Sequence, residues 1–432
     1  TVSPRAHNRA SPRLAEIPSM TQKIVVLTDV HLGQRGHERG GFGQESLLAD
    51  PRPGAHRRIE WLRNRVAAFA ENDPVHLVVT GDLLDLSLAT MRDGLEDLGL
   101  LLAALPAVRE MTWVVGNHDH HVWMLHSESR RVLAPLADGE LPGDVVYART
   151  PRAGELCTLF APYLARAAGR DVPLRLAYPS FELDLPDGDS TRRAWFIHGD
   201  LFGGFYSLLS RLLAPRMAGG DVDHERAAAT VNAAVIEFVY WLLGAIGEGF
   251  GVDGLLEELY TDLQRGDHSL LRQLIEREAE LLVGERGGAL SSVERAIAER
   301  VMLAGVKHFL GAEPGPLHER TASMSASKDR HQQLSRTREN LAAWVHAVGD
   351  SGRPTLLFHG HTHMADRWHV PGTAIETFNL GSWLHEPNRG APQSWIAEIA
   401  AVPGRPLSVR CVYGGEGEPG AAEVTRMSRP IR

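Results

Sequence analysis

The chain has 432 residues, which is long enough for one large domain or two ordinary ones, and its 43% hydrophobic residues are typical of a globular protein with a sizeable core. A formal charge of -9, from 45 Lys and Arg against 54 Asp and Glu, gives no general attraction to a nucleic acid or an acidic membrane surface. Two cysteines, Cys157 and Cys411, exclude a disulfide framework and show no zinc-binding spacing, so we expect a reducing, cytoplasmic location.

The first residues, 1–20, are polar and rich in proline and arginine. They contain no apolar segment of the kind that a secretory signal requires. We therefore expect a disordered leader before a folded chain that begins at residue 21, and a flexible tail over 416–432.

Short apolar, β-branched runs alternate with stretches of helical spacing. The runs begin at Lys23, Val75, Met111, Ala194 and Thr355. Continuous apolar runs are typical of strands covered on both faces, while the stretches 57–71 and 90–105 have the spacing of helices. This pattern predicts a layered α/β fold. In such folds ligands bind beyond the carboxyl ends of the strands, and polar residues follow each of these five runs.

A long segment rich in Leu, Ala and Glu interrupts the alternation after Gly199. Its length excludes a plain loop, and its amphipathic pieces predict a helical insertion over 201–338. The most apolar window begins at Ala227 and approaches membrane-spanning length. Asn232 and Glu237 lie near its middle, which favours a buried or amphipathic helix over a membrane span.

Three roles are open for this insertion: a lid or substrate wall, a dimer surface, or a patch that contacts a membrane peripherally. The lid is favoured because the insertion starts directly after His198, so its first residues must lie near the site. Phe202, Phe205 and Tyr206 would then line an apolar wall. The sequence indicates no oligomeric state.

The end of the chain, 374–413, alternates in the manner of antiparallel strands and is expected to close a second sheet. Together with the first half it forms a discontinuous domain of residues 21–200 and 339–415, with the insertion between the two parts.

Five polar clusters follow the predicted strands, reading TDVHLG, GDLLD, GNHD, HGD and GHTH. In Asp29-x-His31 and His361-x-His363, alternation along an extended segment would send both side chains to one face, so that each pair can grip a metal ion. Carboxylate, imidazole and amide ligands without thiolates suit divalent manganese, iron or zinc. Asp82 is the natural bridge, since its two oxygens can each face one ion.

Two cations about 3.5–4 Å apart can polarise a phosphoryl group and lower the pKa of a shared water to about 7, which supplies a bridging hydroxide as nucleophile. The leaving alkoxide still needs a proton. His118, beside Asn117, is placed to donate it, and Asp119 is placed to hold that imidazole charged and oriented.

The ordered series D-x-H, GD, GNHD, H and GHxH resembles that of the calcineurin-like metallophosphoesterase family, and FNLGSW, from Phe378, looks like the segment that follows GHxH in its bacterial branch. The resemblance covers residues 23–200 and 355–415. It implies a two-sheet αββα sandwich of the metallophosphoesterase type, with a binuclear centre that hydrolyses a phosphate mono- or diester. One ion would be bound by Asp29, His31, Asp82 and His363, and the other by Asp82, Asn117, His198 and His361. His118 would act on the leaving oxygen, and Asn379 of the FNLGSW segment would support the site.

Several neighbouring residues have two interpretations. His120 and His121 can touch substrate, although solvated helix histidines are favoured. His359 is expected to pack in the core or to support a ligand. Asp85 more often caps a helix than binds metal, with a hydrogen bond to a ligand histidine as the alternative. The loop 34–41 either clamps a substrate phosphate or is a Gly-rich loop with solvated charges.

The expected substrate is a small-molecule or nucleotide-like phosphoester, with two divalent ions as cofactors and manganese favoured. A nucleotide-sugar lipid is an alternative, because HGD and NLGSW look like those of UDP-2,3-diacylglucosamine hydrolases, although that group tends to have Arg where this chain has His118. A nuclease is suggested by DVHLG and GDLLD, but the acidic total weighs against it. A non-catalytic metal-binding scaffold would be expected to have lost ligands, and none is missing.

Overall fold

The structure is a computed structural model that describes residues 21–34, 45–49, 53–86, 89–142, 152–202, 224–237, 327–348, 352–385 and 393–414. The expected leader and tail lie outside these ranges, and so does most of the expected insertion. The boundaries of all three segments therefore stay predictions.

Fourteen strands occur in the described residues. They are β1 (Gln22–Leu27), β2 (Glu45–Ser46), β3 (Val75–Thr80), β4 (Val108–Val114), β5 (Glu155–Leu156), β6 (Leu174–Ala177), β7 (Ser180–Asp187), β8 (Ser190–Ile197), β9 (Thr355–His359), β10 (Asp366–His369), β11 (Ile375–Asn379), β12 (Leu384–His385), β13 (Trp395–Ala401) and β14 (Ser408–Tyr413). All five predicted strands are among them.

Helices occupy the connections. They are α1 (Pro53–Ala70), α2 (Met91–Ala104), α3 (His120–Glu128), α4 (Ala134–Ala137), α5 (Ala161–Ala168), α6 (His224–Ile236) and α7 (Ser327–Val348). Thr90 caps α2, because its side chain accepts a hydrogen bond from the Asp93 amide. No helix within the described residues combines the length and the apolar character that crossing a membrane requires.

Seven strands form the first sheet, in the order β14-β13-β1-β3-β4-β6-β5, with β1, β3, β4 and β6 parallel. Five strands form the second sheet, in the order β10-β11-β9-β8-β7, with β8, β9 and β11 parallel. A small third sheet pairs β2 with β12. The parallel centres agree with the continuous apolar runs of the sequence.

The last two strands correct one expectation, because β13 and β14 extend the first sheet; of the strands within 374–413, only β11 belongs to the second sheet. Strand β13 pairs antiparallel with β1, placing Ile399 opposite Ile24. This pairing covers the edge of β1 that β3 leaves open, and an unpaired edge in the middle of the fold would leave backbone groups without hydrogen bonds.

Neighbouring residues on each strand enter different hydrophobic clusters. On β1, Val25 packs with the residues of α1, α2, α3 and α5, while Ile24 packs between the sheets. On β9, Phe358 packs between the sheets and Leu357 packs outward with α6 and α7. The layers therefore run helices, sheet, sheet, helices, which confirms the predicted αββα sandwich.

The carboxyl ends of five strands from both sheets meet at one edge of the sandwich. The amide of His361, after β9, donates to Asp29 Oδ1, after β1, at 3.0 Å. The amide of Gly360 donates to the carbonyl of His198, after β8, at 2.8 Å. All five polar clusters of the sequence thus lie on neighbouring turns.

Candidate metal centre

The first group of side chains comes from the turns after β1 and β9. His31 Nε2 lies 3.2 Å from His363 Nε2, and His363 Nε2 lies 3.4 Å from Asp29 Oδ1. His31 Nε2 also lies 3.9 Å from Asp82 Oδ2, after β3. The four residues predicted to bind one ion are therefore brought together from three separate turns.

The second group lies on the other side of Asp82. His198 Nε2 is 3.2 Å from Asp82 Oδ2 and 3.0 Å from Asn117 Oδ1. His361 Nδ1 is 3.0 Å from the same Asn117 oxygen and 3.3 Å from His198 Nε2. Asp82 thus stands between the two groups, as a bridging carboxylate would.

The donor atoms of these groups fit divalent cations. His31 and His363 face each other nitrogen to nitrogen, and two neutral imidazoles in that position can share only one hydrogen. The carboxylates of Asp29 and Asp82 are 0% and 2% exposed, and buried charges of this kind are paired or coordinate metals. Imidazole nitrogen and carboxylate oxygen suit manganese, iron or zinc.

The pKa values follow the same charge pattern. Burial alone would raise the pKa of Asp82, but the charges of His198 and His118 hold it well below its usual range. Burial alone would lower the pKa of His198, but Asp82 and Asp29 raise it well above its usual range. Burial and the charge of His198 lower the pKa of His361 to about 3, which leaves a neutral ring. The buried carboxylates thus favour positive charge at His198, and a metal ion bound there would supply that charge.

Five predicted ligands have a left-handed backbone. Their φ angles are 46° at Asp29, 52° at His31, 48° at Asp82, 70° at His361 and 56° at His363. Left-handed conformations of non-glycine residues cost roughly 1–3 kcal/mol each and cluster at functional sites. The expectation of extended D-x-H and H-x-H segments is therefore wrong, because tight turns, rather than strand alternation, bring each pair to the site.

Gly360 permits the close approach of two of these turns. A Cβ atom at this position would overlap the carboxylate of Asp29 and the hydroxyl of Thr28. We expect Gly360→Ala to weaken Mn²⁺ binding at least about tenfold, because Asp29 must move. Titration calorimetry checks this against Gly352→Ala, whose Cβ would meet nothing within 4 Å. Equal affinities in the two variants would contradict the packing argument.

His118 lies beside both groups and is partly exposed, at 24% of its side chain. Its amide donates to Asp82 Oδ1 at 2.9 Å, and its Nδ1 lies 3.1 Å from Asp85 Oδ1. Burial alone would lower the pKa of His118, but Asp85 and Asp82 raise it to about 9, so the ring is protonated at neutral pH. The other oxygen of Asp85 accepts from His31 Nδ1 at 2.8 Å and so orients a predicted ligand.

Asp119 has a different place from the one expected. Its carboxylate accepts hydrogen bonds from the amides of Leu83, Leu84 and Gly116 and from Trp113 Nε1, at 2.6 to 3.3 Å. It therefore joins the turns after β3 and β4, while Asp85 has the position beside the His118 ring. Burial and the charge of Asp82 raise the pKa of Asp119 to about 7.

We expect Asp119→Ala to lower the free energy of unfolding by about 3 kcal/mol or more, because buried donors left without an acceptor cost about 1–3 kcal/mol each. Urea unfolding checks this, with the exposed Asp171→Ala as a matched control. A shift in the urea midpoint no larger than that of Asp171→Ala would show that the carboxylate does not brace the turns.

Other predicted neighbours have mixed outcomes. His359 is buried among packed side chains, and burial lowers its pKa to about 4. Asn379 donates to the carbonyl of Gly360 at 3.0 Å and to Thr362 Oγ1 at 2.9 Å, so it holds the GHTH turn. Sequence reasoning missed Thr28, whose hydroxyl donates to Asp29 Oδ2 at 2.5 Å, although its position directly before Asp29 is a usable signal.

The expectation of solvated side chains is wrong for His120, which is 1% exposed and binds Glu237.

Phe202 does not line an open wall of the site, because it is 1% exposed and packs on His359. Phe205 and Tyr206 lie outside the described residues. Of the loop 34–41 only Gln34 is described, and its Nε2 donates to Asp85 Oδ2 at 2.8 Å.

One family model matches the part of the chain that contains the first three motifs, TDVHLG, GDLLD and GNHD. Residues 22–158 match the family model of the calcineurin-like phosphoesterases. The crystal structure of a dimetal phosphatase from Danio rerio is similar over 91% of this chain and 96% of that chain, with 12% identity and a TM-score of 0.32. A phosphopantetheinyl hydrolase from Mycobacterium tuberculosis is similar over 85% and 97%, with 12% identity and a TM-score of 0.24. No curated protein matches the chain significantly in sequence.

Proposed function

We propose that this chain is a metal-dependent hydrolase of phosphate mono- or diesters with a binuclear centre. The observation that carries the proposal is the meeting of seven nitrogen and oxygen donors, in two groups that share Asp82. The match of residues 22–158 to the calcineurin-like phosphoesterase model supports the same chemistry. A partly exposed, protonated His118 beside the donors supports hydrolysis over a non-catalytic metal-binding scaffold.

The two groups of donors would each hold one ion. One ion would be bound by Asp29, His31, Asp82 and His363, and the other by Asp82, Asn117, His198 and His361. Such ions supply an activated nucleophile and polarise the phosphoryl oxygens. The donor set accepts manganese, iron and zinc. Of these three ions, manganese is the one we favour.

His118 is the proposed general acid. Asp85 holds the ring through Nδ1, and the proposed proton donor to the leaving oxygen is the imidazolium that this contact orients. Asp85 therefore takes the orienting role that the sequence suggests for Asp119. The proposed substrate is a small-molecule or nucleotide-like phosphoester, and the free thiols of Cys157 and Cys411 support a cytoplasmic location.

The test is metal analysis of the purified full-length protein together with turnover of p-nitrophenyl phosphate and of its bis-ester. We expect two ions per chain and Mn²⁺-dependent release of p-nitrophenol from at least one ester. The stronger of the two rates assigns mono- or diester preference. A panel of nucleotide sugars and single-stranded DNA tests the alternative substrates. If the chain binds two ions but hydrolyses none of these compounds, it is a non-catalytic scaffold.

A further inference from the structure

Helix α6 is embedded between two hydrophobic clusters. Ala227 and Ala228 pack with Trp344 of α7 on the outer face of the second sheet, while Ala229 and Ala233 pack in the cluster beneath α3. All four alanines are at most 1% exposed. Small side chains let the helix backbone approach both layers closely, so α6 is fixed relative to the turns that follow β4 and β8.

One polar contact of α6 reaches the turn after β8. Asn232 is 1% exposed, and its Nδ2 donates to Asp200 Oδ2 at 2.5 Å. Asp200 lies two residues after His198, in the short 3-10 turn Asp200–Phe202. The hydroxyl of Tyr178 donates to the carbonyl of Ala229 at 2.9 Å and fixes the helix at the same level.

The second polar contact reaches the start of α3. Glu237 directly follows α6, and its carboxylate accepts hydrogen bonds from His120 Nδ1 at 2.6 Å and from His121 Nδ1 at 3.1 Å. The two histidines lie three and four residues after Asn117. His120 also packs edge-on against the ring of Tyr178, with centroids 4.8 Å apart.

These two contacts converge on one half of the candidate metal centre, because Asn117 Oδ1 and His198 Nε2 lie 3.0 Å apart. The other half is held from elsewhere: Asp85 accepts from His31, and Ser382 Oγ donates to the carbonyl of Asp29 at 3.1 Å. Loosening α6 should therefore affect the two halves unequally.

We propose that Asn232 and Glu237 are positioning residues for the ion that Asn117 and His198 hold. The proposal rests on the binuclear centre proposed above. Neither residue is a predicted ligand; each fixes a turn that carries one of the residues that would hold the ion. Loss of such outer hydrogen bonds typically costs 10–100-fold in metal affinity, because the ligands lose their orientation.

The experiment titrates Mn²⁺ alone into the full-length, metal-stripped protein. Glu237→Ala and Asn232→Leu are expected to bind one Mn²⁺ with the wild-type dissociation constant and a second about 10–100-fold more weakly. Electron paramagnetic resonance at two equivalents should then show isolated Mn²⁺ in place of a spin-coupled pair. Glu237→Gln retains one acceptor oxygen and should restore part of the second affinity.

Glu225→Ala is the matched control, since Glu225 is a buried glutamate on the same helix that contacts Ser180 and Arg152. It should bind both ions as the wild type does. Two wild-type affinities in Glu237→Ala and Asn232→Leu would overturn the inference, and so would an equal weakening of both ions. If Asn232→Leu does not fold, the Glu237 series decides alone, because that side chain is 20% exposed and lies beyond the helix. A wild-type chain that binds fewer than two Mn²⁺ ions would instead remove the proposed function itself.

Discussion

Asp82→Ala is expected to abolish turnover, with kcat/KM for p-nitrophenyl phosphate falling about 10⁴-fold or more, which corresponds to roughly 5.5 kcal/mol. Asp82 Oδ2 lies 3.2 Å from His198 and 3.9 Å from His31, so its loss removes a donor from both groups. The variant also loses the acceptor that Asp82 Oδ1 provides for the amide of His118. The substitution therefore impairs metal binding, the bridge between the two groups and the placement of His118 at the same time.

Asp82→Asn separates the charge of this residue from its shape. The amide keeps one oxygen donor but cannot bridge two cations, so we expect about one Mn²⁺ per chain and activity close to that of Asp82→Ala. Mn²⁺ should raise the Tm of the wild type more than that of the variant, since a ligand stabilises the folded state according to its affinity. The exposed Asp138→Asn is the control. An Asp82→Asn protein with two bound ions and wild-type turnover would exclude Asp82 from the centre.

The apolar runs were sufficient to predict a layered α/β fold and the meeting of the five clusters, whereas the two-sheet sandwich was implied by the family resemblance. Continuous apolar runs such as the one at Val75 are typical of strands buried on both faces, and the carboxyl ends of neighbouring parallel strands share an edge. A polar residue within two positions of the end of such a run, as Asp29 is after β1, therefore lies at that edge whatever the details of packing. This is why short motifs scattered over more than 300 residues were informative.

The backbone conformation of the ligands was not predictable in the same way. Asp29 and His361 stand beside strands, where alternation is the default, yet both have positive φ. Left-handed turns depend on contacts that are distant in sequence, such as the amide of His361 on the Asp29 carboxylate. Nothing within the five short motifs encodes that contact.

The partner of the His118 ring could not be predicted for a related reason. Adjacency in sequence favours Asp119 as the partner of His118, but the turn directs its carboxylate toward Trp113 and the backbone amides. Asp85 comes from a different strand end and reaches His118 through space. The partner of Glu237 is likewise invisible locally, because His120 lies 117 residues away in sequence.

His118→Ala is expected to lower turnover by an amount that depends on the leaving group. Alkyl phosphates need a proton on the departing oxygen, so kcat should fall about 10²–10⁴-fold, the usual contribution of general acid catalysis. p-Nitrophenolate leaves readily without a proton, so the loss for p-nitrophenyl phosphate should stay within about tenfold by the same argument. A series of substituted phenyl and alkyl phosphates measures the dependence.

The comparison isolates the acid because the metal donors are intact in this variant. Mn²⁺ stoichiometry should match that of the wild type, and the exposed His346→Ala should behave as the wild type with every ester. Asp85→Asn should reproduce part of the effect, since Asp85 is the group that holds the His118 ring and helps to raise its pKa to about 9. A uniform loss over all leaving groups would assign His118 to substrate or transition-state binding, and the source of the leaving-group proton would then have to be another residue or a water molecule.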